Sequence, residues 1–185
     1  MEPKFVGVNA TSSAIEVAVR PSGEQWKTDF ADDNITATAN KLTCIQPQLV
    51  VMEGTGTYEL PLAGVFATHG LPFAIVNPRS LREFARTVGR MSRADNSQAG
   101  LLAHFGELVH PEARPLGEET VRKLRELRSR REDLRQMLNL ERGRLAEASI
   151  VLRREVQRHV NFLEKDVALL DQEFNRTVRL SSAWR

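Results

Sequence analysis

Residues 72–105 read PFAIVNPRSLREFARTVGRMSRADNSQAGLLAHF. Phe73-Ala74-Ile75-Val76 is a continuous apolar run of buried-strand type. Asn77-Pro78 ends it and opens a helix, because proline suits the first helical position. Arg79, Arg82, Arg86, Arg90 and Arg93 then recur three or four residues apart and share one helix face. Leu81, Phe84, Ala85 and Val88 lie nearer the opposite face. Asp95 follows in Arg-Ala-Asp-Asn-Ser-Gln-Ala, just before a further apolar helix. A row of guanidinium groups leading to a carboxylate suits a surface that handles phosphodiesters. Arginine grips phosphate oxygens, and a carboxylate can hold a metal. The same stripe is also the ordinary pattern of a solvated helix face, and the residues alone leave both readings open.

Working back from this stretch, Phe5-Val6-Gly7-Val8 reads as a buried strand ending at Asn9. Ile15, Val17 and Val19 alternate with Glu16, Ala18 and Arg20, which predicts a half-buried second strand. After the turn Pro21-Ser22-Gly23-Glu24, residues 25–30 return as a third, so two hairpins make an antiparallel trio. Asp32 or Asp33 caps a helix running to about Ile45. Residues 48–52, QLVVM, form a central strand stopped by Glu53. Gly54-Thr55-Gly56 leads into a helix over about 58–69, closed by Gly70. Three antiparallel strands followed by parallel strands with helical crossovers predict an α/β domain with a ribonuclease H-like mixed sheet and flanking helices, spanning residues 1–110.

Composition narrows the classes. The chain has 185 residues, 41% apolar, enough for one ordinary domain and an appendage. It holds no run of 18 apolar residues, so no membrane span is expected, and its start lacks a signal-peptide pattern. The single cysteine, Cys44, rules out an internal disulfide and fits a reducing cytoplasm; it is expected as a small buried apolar side chain. Charge is uneven: residues 1–110 carry 9 Lys/Arg against 11 Asp/Glu, and residues 111–185 carry 17 against 13. Only five of the 26 cations are lysines, a bias that suits nucleic acid.

In a fold of this kind, chemistry sits at the carboxyl ends of adjacent strands and on a late helix. Glu53 ends one central strand and Asn9 ends the strand expected beside it. Asp95 and Gln98 are three residues apart, so one helix turn would aim both at the same point. Two-metal phosphodiester chemistry holds two divalent ions roughly 3.5–4 Å apart on several carboxylates. Of these four positions, only Glu53 and Asp95 are acidic. The four histidines, His69, His104, His110 and His159, have no metal-ligand spacing, and Ser12, Ser13, Ser92 and Ser97 read as turn and cap residues. Gly54-Thr55-Gly56 lacks the lysine and spacing of a phosphate loop, and Tyr58 either packs or stacks on a base.

Five segments carry a family resemblance: Phe5–Asn9 with Ile15–Val19, Val50–Glu59, Val76–Arg79 through Phe84–Arg86, and Ala94-Asp95 with Ala99. With them the chain resembles the N-terminal part of the bacterial DEDD transposases of the insertion-sequence one-ten family, relatives of the pilin-gene invertases. The resemblance implies a RuvC-like nuclease domain, then a coiled coil, then a separate transposase domain with a nucleophilic serine. It implies Mg²⁺ as cofactor, and DNA and a structured guide RNA as partners. It further implies homo-oligomers built through the coiled coil, and a cytoplasmic protein that joins the nucleoid when on DNA. The family's acids are Asp, Glu, Asp, Asp; here the matching residues are Asn9, Glu53, Asp95 and Gln98. Amide carbonyls ligate hard cations but bring no charge, so weak Mg²⁺ binding through Glu53 and Asp95, and impaired strand cleavage, are expected. The sequence stops at Trp184-Arg185, so the serine domain is expected to be absent. An active metal-dependent nuclease, or an oligomerisation scaffold without nucleic acid, are the competing readings.

Residues 111–116 read as a linker, and residues 117–185 as helix. Leu124, Leu127, Leu134, Leu138, Leu145 and Ala148 form a seam interrupted by Arg131 and Glu141. Val156, Val160, Leu163, Val167, Leu170 and Phe174 form a second seam after a break near 147–152. Together they predict a helical hairpin or an oligomerising coiled coil. Residues 122–131, RKLRELRSRR, hold more cations than neighbouring acids balance. Arg122, Lys123, Arg125, Arg128 and Arg130 are therefore nucleic-acid candidates beside the Arg79–Arg93 stripe.

Overall fold

The structure is a computed structural model that describes residues 2–88 and 97–181. Among these residues it contains five strands and six helices. The strands are β1 (Phe5–Ala10), β2 (Ala14–Arg20), β3 (Gln25–Asp29), β4 (Leu49–Glu53) and β5 (Phe73–Val76). The helices are α1 (Asp32–Ile45), α2 (Glu59–Thr68), α3 (Pro78–Val88), α4 (Gln98–Val109), α5 (Glu118–Glu147) and α6 (Arg153–Arg179).

The strands form one mixed sheet in the order β3-β2-β1-β4-β5. β1 pairs antiparallel with β2 and parallel with β4, and β4 pairs parallel with β5. This α/β order is consistent with the ribonuclease H-like expectation. Strand alternation sends Val6, Val8, Ile15, Val17, Val50 and Met52 to one face, where α1 and α2 cover them. Phe5, Leu49, Val51, Ala74 and Val76 go to the other, against Leu81 of α3 and Leu102 and Phe105 of α4.

One glycine sets how closely α4 lies on the sheet. A Cβ at Gly7 would stand 2.0 Å from the Ala99 carbonyl oxygen and 2.4 Å from the Ala103 nitrogen. Only a residue without a side chain lets β1 and the first turns of α4 meet there. Ala18, Ala99 and Ala103 continue the same tight contact, and an Arg20–Glu107 ion pair at 2.6 Å closes its far end.

α5 and α6 pack against each other as a hairpin within the chain. Their ion pairs join Lys123 to Glu173, Arg131 to Asp171 and Arg142 to Glu164. One partner number rises as the other falls, so the helices run antiparallel. Leu134, Leu138, Val160 and Leu163 fill the outer half of the seam. At the root, Leu116, Leu124, Phe174 and Val178 belong to the sheet's own core. Phe174 and Val178 lie over Gly64 of α2, where a Cβ would meet the Phe174 ring at 2.3 Å.

Several local expectations change. Cys44 is exposed rather than buried. α1 begins after Ala31, with no side-chain cap from Asp32 or Asp33. Ser97 does cap α4, accepting from the Gly100 N–H at 2.9 Å, and Tyr58 packs edge-on to Phe30. Arg90, Arg93 and Asp95 lie outside the described residues.

Candidate functional site

The register of the central strands brings the polar strand ends together. Val8 pairs with Met52, so the next residues of these parallel neighbours, Asn9 and Glu53, lie side by side. Asn9 pairs across the hairpin with Glu16, and Glu16 with Lys27. The row Glu53–Asn9–Glu16–Lys27 therefore crosses four strands on the face covered by α4. Gln98, the first residue of α4, reaches this row from above: its Nε2 donates to Glu53 Oε2 at 2.9 Å.

Three of the four expected residues, Asn9, Glu53 and Gln98, thus converge. The fourth, Asp95, lies outside the described residues.

The row also contains two residues that sequence reasoning did not assign. Asn9 Nδ2 donates to Glu16 Oε2 at 3.4 Å, and Lys27 Nζ lies 2.7 Å from Glu16 Oε1. The Lys27 hydrogen bond holds the Glu16 carboxyl below its ordinary value; partial burial opposes this, and the Asn9 amide and the Lys27 charge add to it. The signal that could have found Glu16 was the hairpin itself. Centring the turn on residues 12–13 places position 16 opposite position 9.

The resemblance implies divalent metal at this row of strand ends. Among the described residues, no three His, Cys, Asp or Glu side chains stand where they could share an ion. Both amides present N–H groups to carboxylates, Gln98 to Glu53 and Asn9 to Glu16. An amide donating to a carboxylate satisfies it without a cation. The described residues therefore do not fit a pair of divalent ions.

The loop after Glu53 is held from two sides. Buried Glu59 accepts from Thr55 Oγ1 at 2.7 Å and from the N–H groups of Gly56 and Thr57. Arg179 of α6 donates to the Gly56 carbonyl at 2.7 Å. The end of the hairpin thus touches the turn that follows the strand-end carboxylate.

The arginine candidates divide into two groups. Arg79, Arg82 and Arg86 are exposed on α3 opposite buried Leu81, and the described residues give them no carboxylate partner. Arg122 and Arg130 are exposed on α5. Lys123 instead pairs with Glu173 at 2.6 Å. Arg125 and Arg128 bend onto the α1–α2 side: Arg125 donates to the Thr68 carbonyl at 3.2 Å, and Arg128 to Thr36 Oγ1 at 2.9 Å. The basic run on α5 is therefore not one continuous free face.

No helix among the described residues is long and apolar enough to cross a membrane.

Comparison with known proteins assigns the family. The family model described as Transposase, of the IS110-type DEDD group, matches residues 11–148. The pilin gene-inverting protein of Moraxella bovis is 27% identical over 124 residues, covering 67% of this chain and 38% of its own length. The protein of the same name from Moraxella lacunata matches at 27% over 124 residues, with the same coverage. The chain thus spans well under half the length of these relatives. With most of its residues under the family model, the chain belongs to the IS110-type DEDD transposase family.

Proposed function

We propose that this chain serves DNA transposition or recombination as a nucleic-acid-binding module with a ribonuclease H-like, RuvC-like sheet, and that its strand-cleaving centre is impaired. The observation that carries this reading is the amide-to-carboxylate contact between Gln98 and Glu53 beside Asn9. Amides occupy two of the four positions where the family resemblance places acids. Gln98 leaves Glu53 hydrogen-bonded, and both amides reduce the negative charge that would draw divalent ions. The exposed arginines of α3 supply the cationic face on the same side of the sheet. Arginine there positions a phosphate backbone without reading its sequence.

DNA is one partner in this reading, and a structured guide RNA is the other, taken from the family resemblance. Homo-oligomers through the hairpin are proposed as well; Met137, Leu140, Phe162 and Leu169 leave apolar surface on its outer faces.

The test is filter binding of DNA and of structured RNA at two salt concentrations, beside a cleavage assay with Mn²⁺. Binding that weakens with salt, and weakens further in Arg82→Glu/Arg86→Glu, is expected, with no cleavage by the unaltered chain. Cleavage by the unaltered chain, abolished by Glu53→Gln, would reject impairment. Salt-independent or absent binding would favour a scaffold.

A further inference from the structure

At the root of the hairpin, α1, α2, α5 and α6 enclose an open cleft of about 980 Å³. Its charges are sorted. At one end Asp32 takes Arg131 at 2.8 Å and also Arg135, while Arg131 reaches Asp171 as well. Burial pulls the Arg131 pKa down, but Asp32 and Asp171 together outweigh it and hold this guanidinium above its ordinary value. Both guanidiniums at that end are matched by carboxylates. Asp33, Glu132 and Asp133 also line the cleft and are exposed at its rim.

The other end is different. Arg125 and Arg128, three residues apart on α5, converge on Thr68. Arg125 donates to its carbonyl at 3.2 Å, and Arg128 to its hydroxyl at 3.4 Å. A second Arg128 nitrogen donates to Thr36 Oγ1 at 2.9 Å. All of these acceptors are neutral. Among the described residues neither guanidinium has a carboxylate partner. The Thr68 carbonyl, at the end of α2, offsets a fraction of one charge through the helix dipole, not two whole charges. His69 and Asn40, joined at 3.2 Å, complete the wall with polar groups.

Two like charges brought together in a partly enclosed cleft repel, and an anion between them relieves the repulsion. Arginine forks match phosphate oxygens, and each of these still has N–H groups to give. We propose that the Arg125–Arg128 end of this cleft is a phosphate site, occupied by the backbone of a nucleic-acid strand that enters between the hairpin and α1–α2. The strand as occupant rests on the proposed function; the phosphate chemistry does not. The alternative source is a free phosphate or mononucleotide.

The test uses the full chain and three probes: a labelled single-stranded oligonucleotide, adenosine monophosphate and inorganic phosphate. Arg125→Gln/Arg128→Gln is expected to weaken oligonucleotide binding about tenfold and to lower its salt slope by roughly one. Arg153→Gln/Arg154→Gln, exposed on α6 and outside the cleft, removes equal charge and is expected to cost less than about threefold. Equal losses in the two pairs, or none in the cleft pair, overturn the proposal for a strand. If the unaltered chain binds no oligonucleotide but phosphate or the mononucleotide raises its Tm, and Arg128→Gln abolishes that rise, the cleft is a small-anion site and the nucleic-acid reading falls. With no strand binding and no anion-dependent rise, the phosphate site itself is refuted. Should the cleft pair fail to fold, Arg128→Lys decides: it keeps the charge but loses the fork, and an unchanged affinity counts against the site.

Discussion

Gln98 opens α4 with its amide nitrogen 2.9 Å from a Glu53 oxygen, so the helix and the end of β4 are joined by a donor meeting an acceptor. Exchanging the donor for a second carboxylate in Gln98→Glu turns attraction into repulsion. Glu53 is half-buried, so the loss is discounted for solvent to about 1 kcal/mol at neutral pH. The penalty should shrink as pH falls, because protonating either acid restores a hydrogen bond. It should also shrink when Mn²⁺ is added, since a cation between two carboxylates replaces the lost N–H. Thermal unfolding with Mn²⁺ or with chelator separates the two cases: a rise in Tm for the variant and none for the unaltered chain. An equal rise in both would show that the native amides do not exclude the ion.

Gly7 controls whether that contact exists at all. In Gly7→Ala the added methyl meets the Ala99 carbonyl at 2.0 Å and the Ala103 nitrogen at 2.4 Å, both backbone atoms. Neither can yield by a rotamer change, so α4 must lift from β1. Overpacking of this kind costs about 1–3 kcal/mol, and more where backbone must shift. The expected result is a Tm fall of several degrees, with faster amide hydrogen exchange in α4 than in the hairpin. A loss spread evenly over the chain would argue against a local lift.

The strands were legible in sequence pattern: apolar alternation in Ile15–Val19, and unbroken apolar runs in Leu49–Met52 and Phe73–Val76, although β2 is not half-buried as expected, because Ala18 is covered by α4. Proline at position 78 and the break before Arg153 marked helix starts in the same way. What stayed hidden depends on neighbours distant in sequence. Glu16 gains meaning only from pairing beside Asn9, and the directions of Arg125, Arg128 and Arg131 depend on how α5 docks against α1 and α2. A seam of leucines looks the same whether its partner is α6 or another chain; the packing of Leu134 and Leu138 with Val160 and Leu163, and the ascending and descending ion pairs, identify α6. Cys44 sits in an amphipathic helix whose buried line is Ile35, Thr38, Ala39 and Leu42, so it turns outward despite its apolar character.

Glu16 gives the acid side of the site a measurable pH dependence. Its carboxyl is held below the ordinary 4.5, chiefly by the Lys27 hydrogen bond. A depressed folded-state pKa contributes stability that is fully present above the unfolded value and is lost as pH falls through the folded one. Lys27→Met removes the main cause, so the stability curve should flatten on its acid side and remain parallel near neutrality. The carboxylate is 30% exposed, so the change should be small. Carbon-13 NMR of the Glu16 carboxyl is the direct measurement, expected to titrate at higher pH in the variant. An unmoved titration would remove Lys27 as the cause.

Arg131 sits where the α5 seam would otherwise continue with leucine, and it holds Asp32 and Asp171 from two other helices. Arg131→Leu completes the apolar seam but strips Asp171 of its partner, while Asp32 keeps Arg135. The two effects oppose. Breaking a part-buried pair leaves a poorly compensated charge, whereas a leucine at this position gains apolar contact. The Arg131 side chain is 20% exposed and Asp171 is 42% exposed, so the charge penalty is smaller than for a fully buried pair. The net loss is expected near 1 kcal/mol by urea unfolding. Adding Asp171→Leu removes the stranded carboxylate, and the double variant should recover to at least native stability. That recovery is a coupling of the kind a double-mutant cycle isolates. If Arg131→Leu alone raises the urea midpoint, seam packing outweighs the ion pairs, and Arg131 does not fasten the hairpin root to α1.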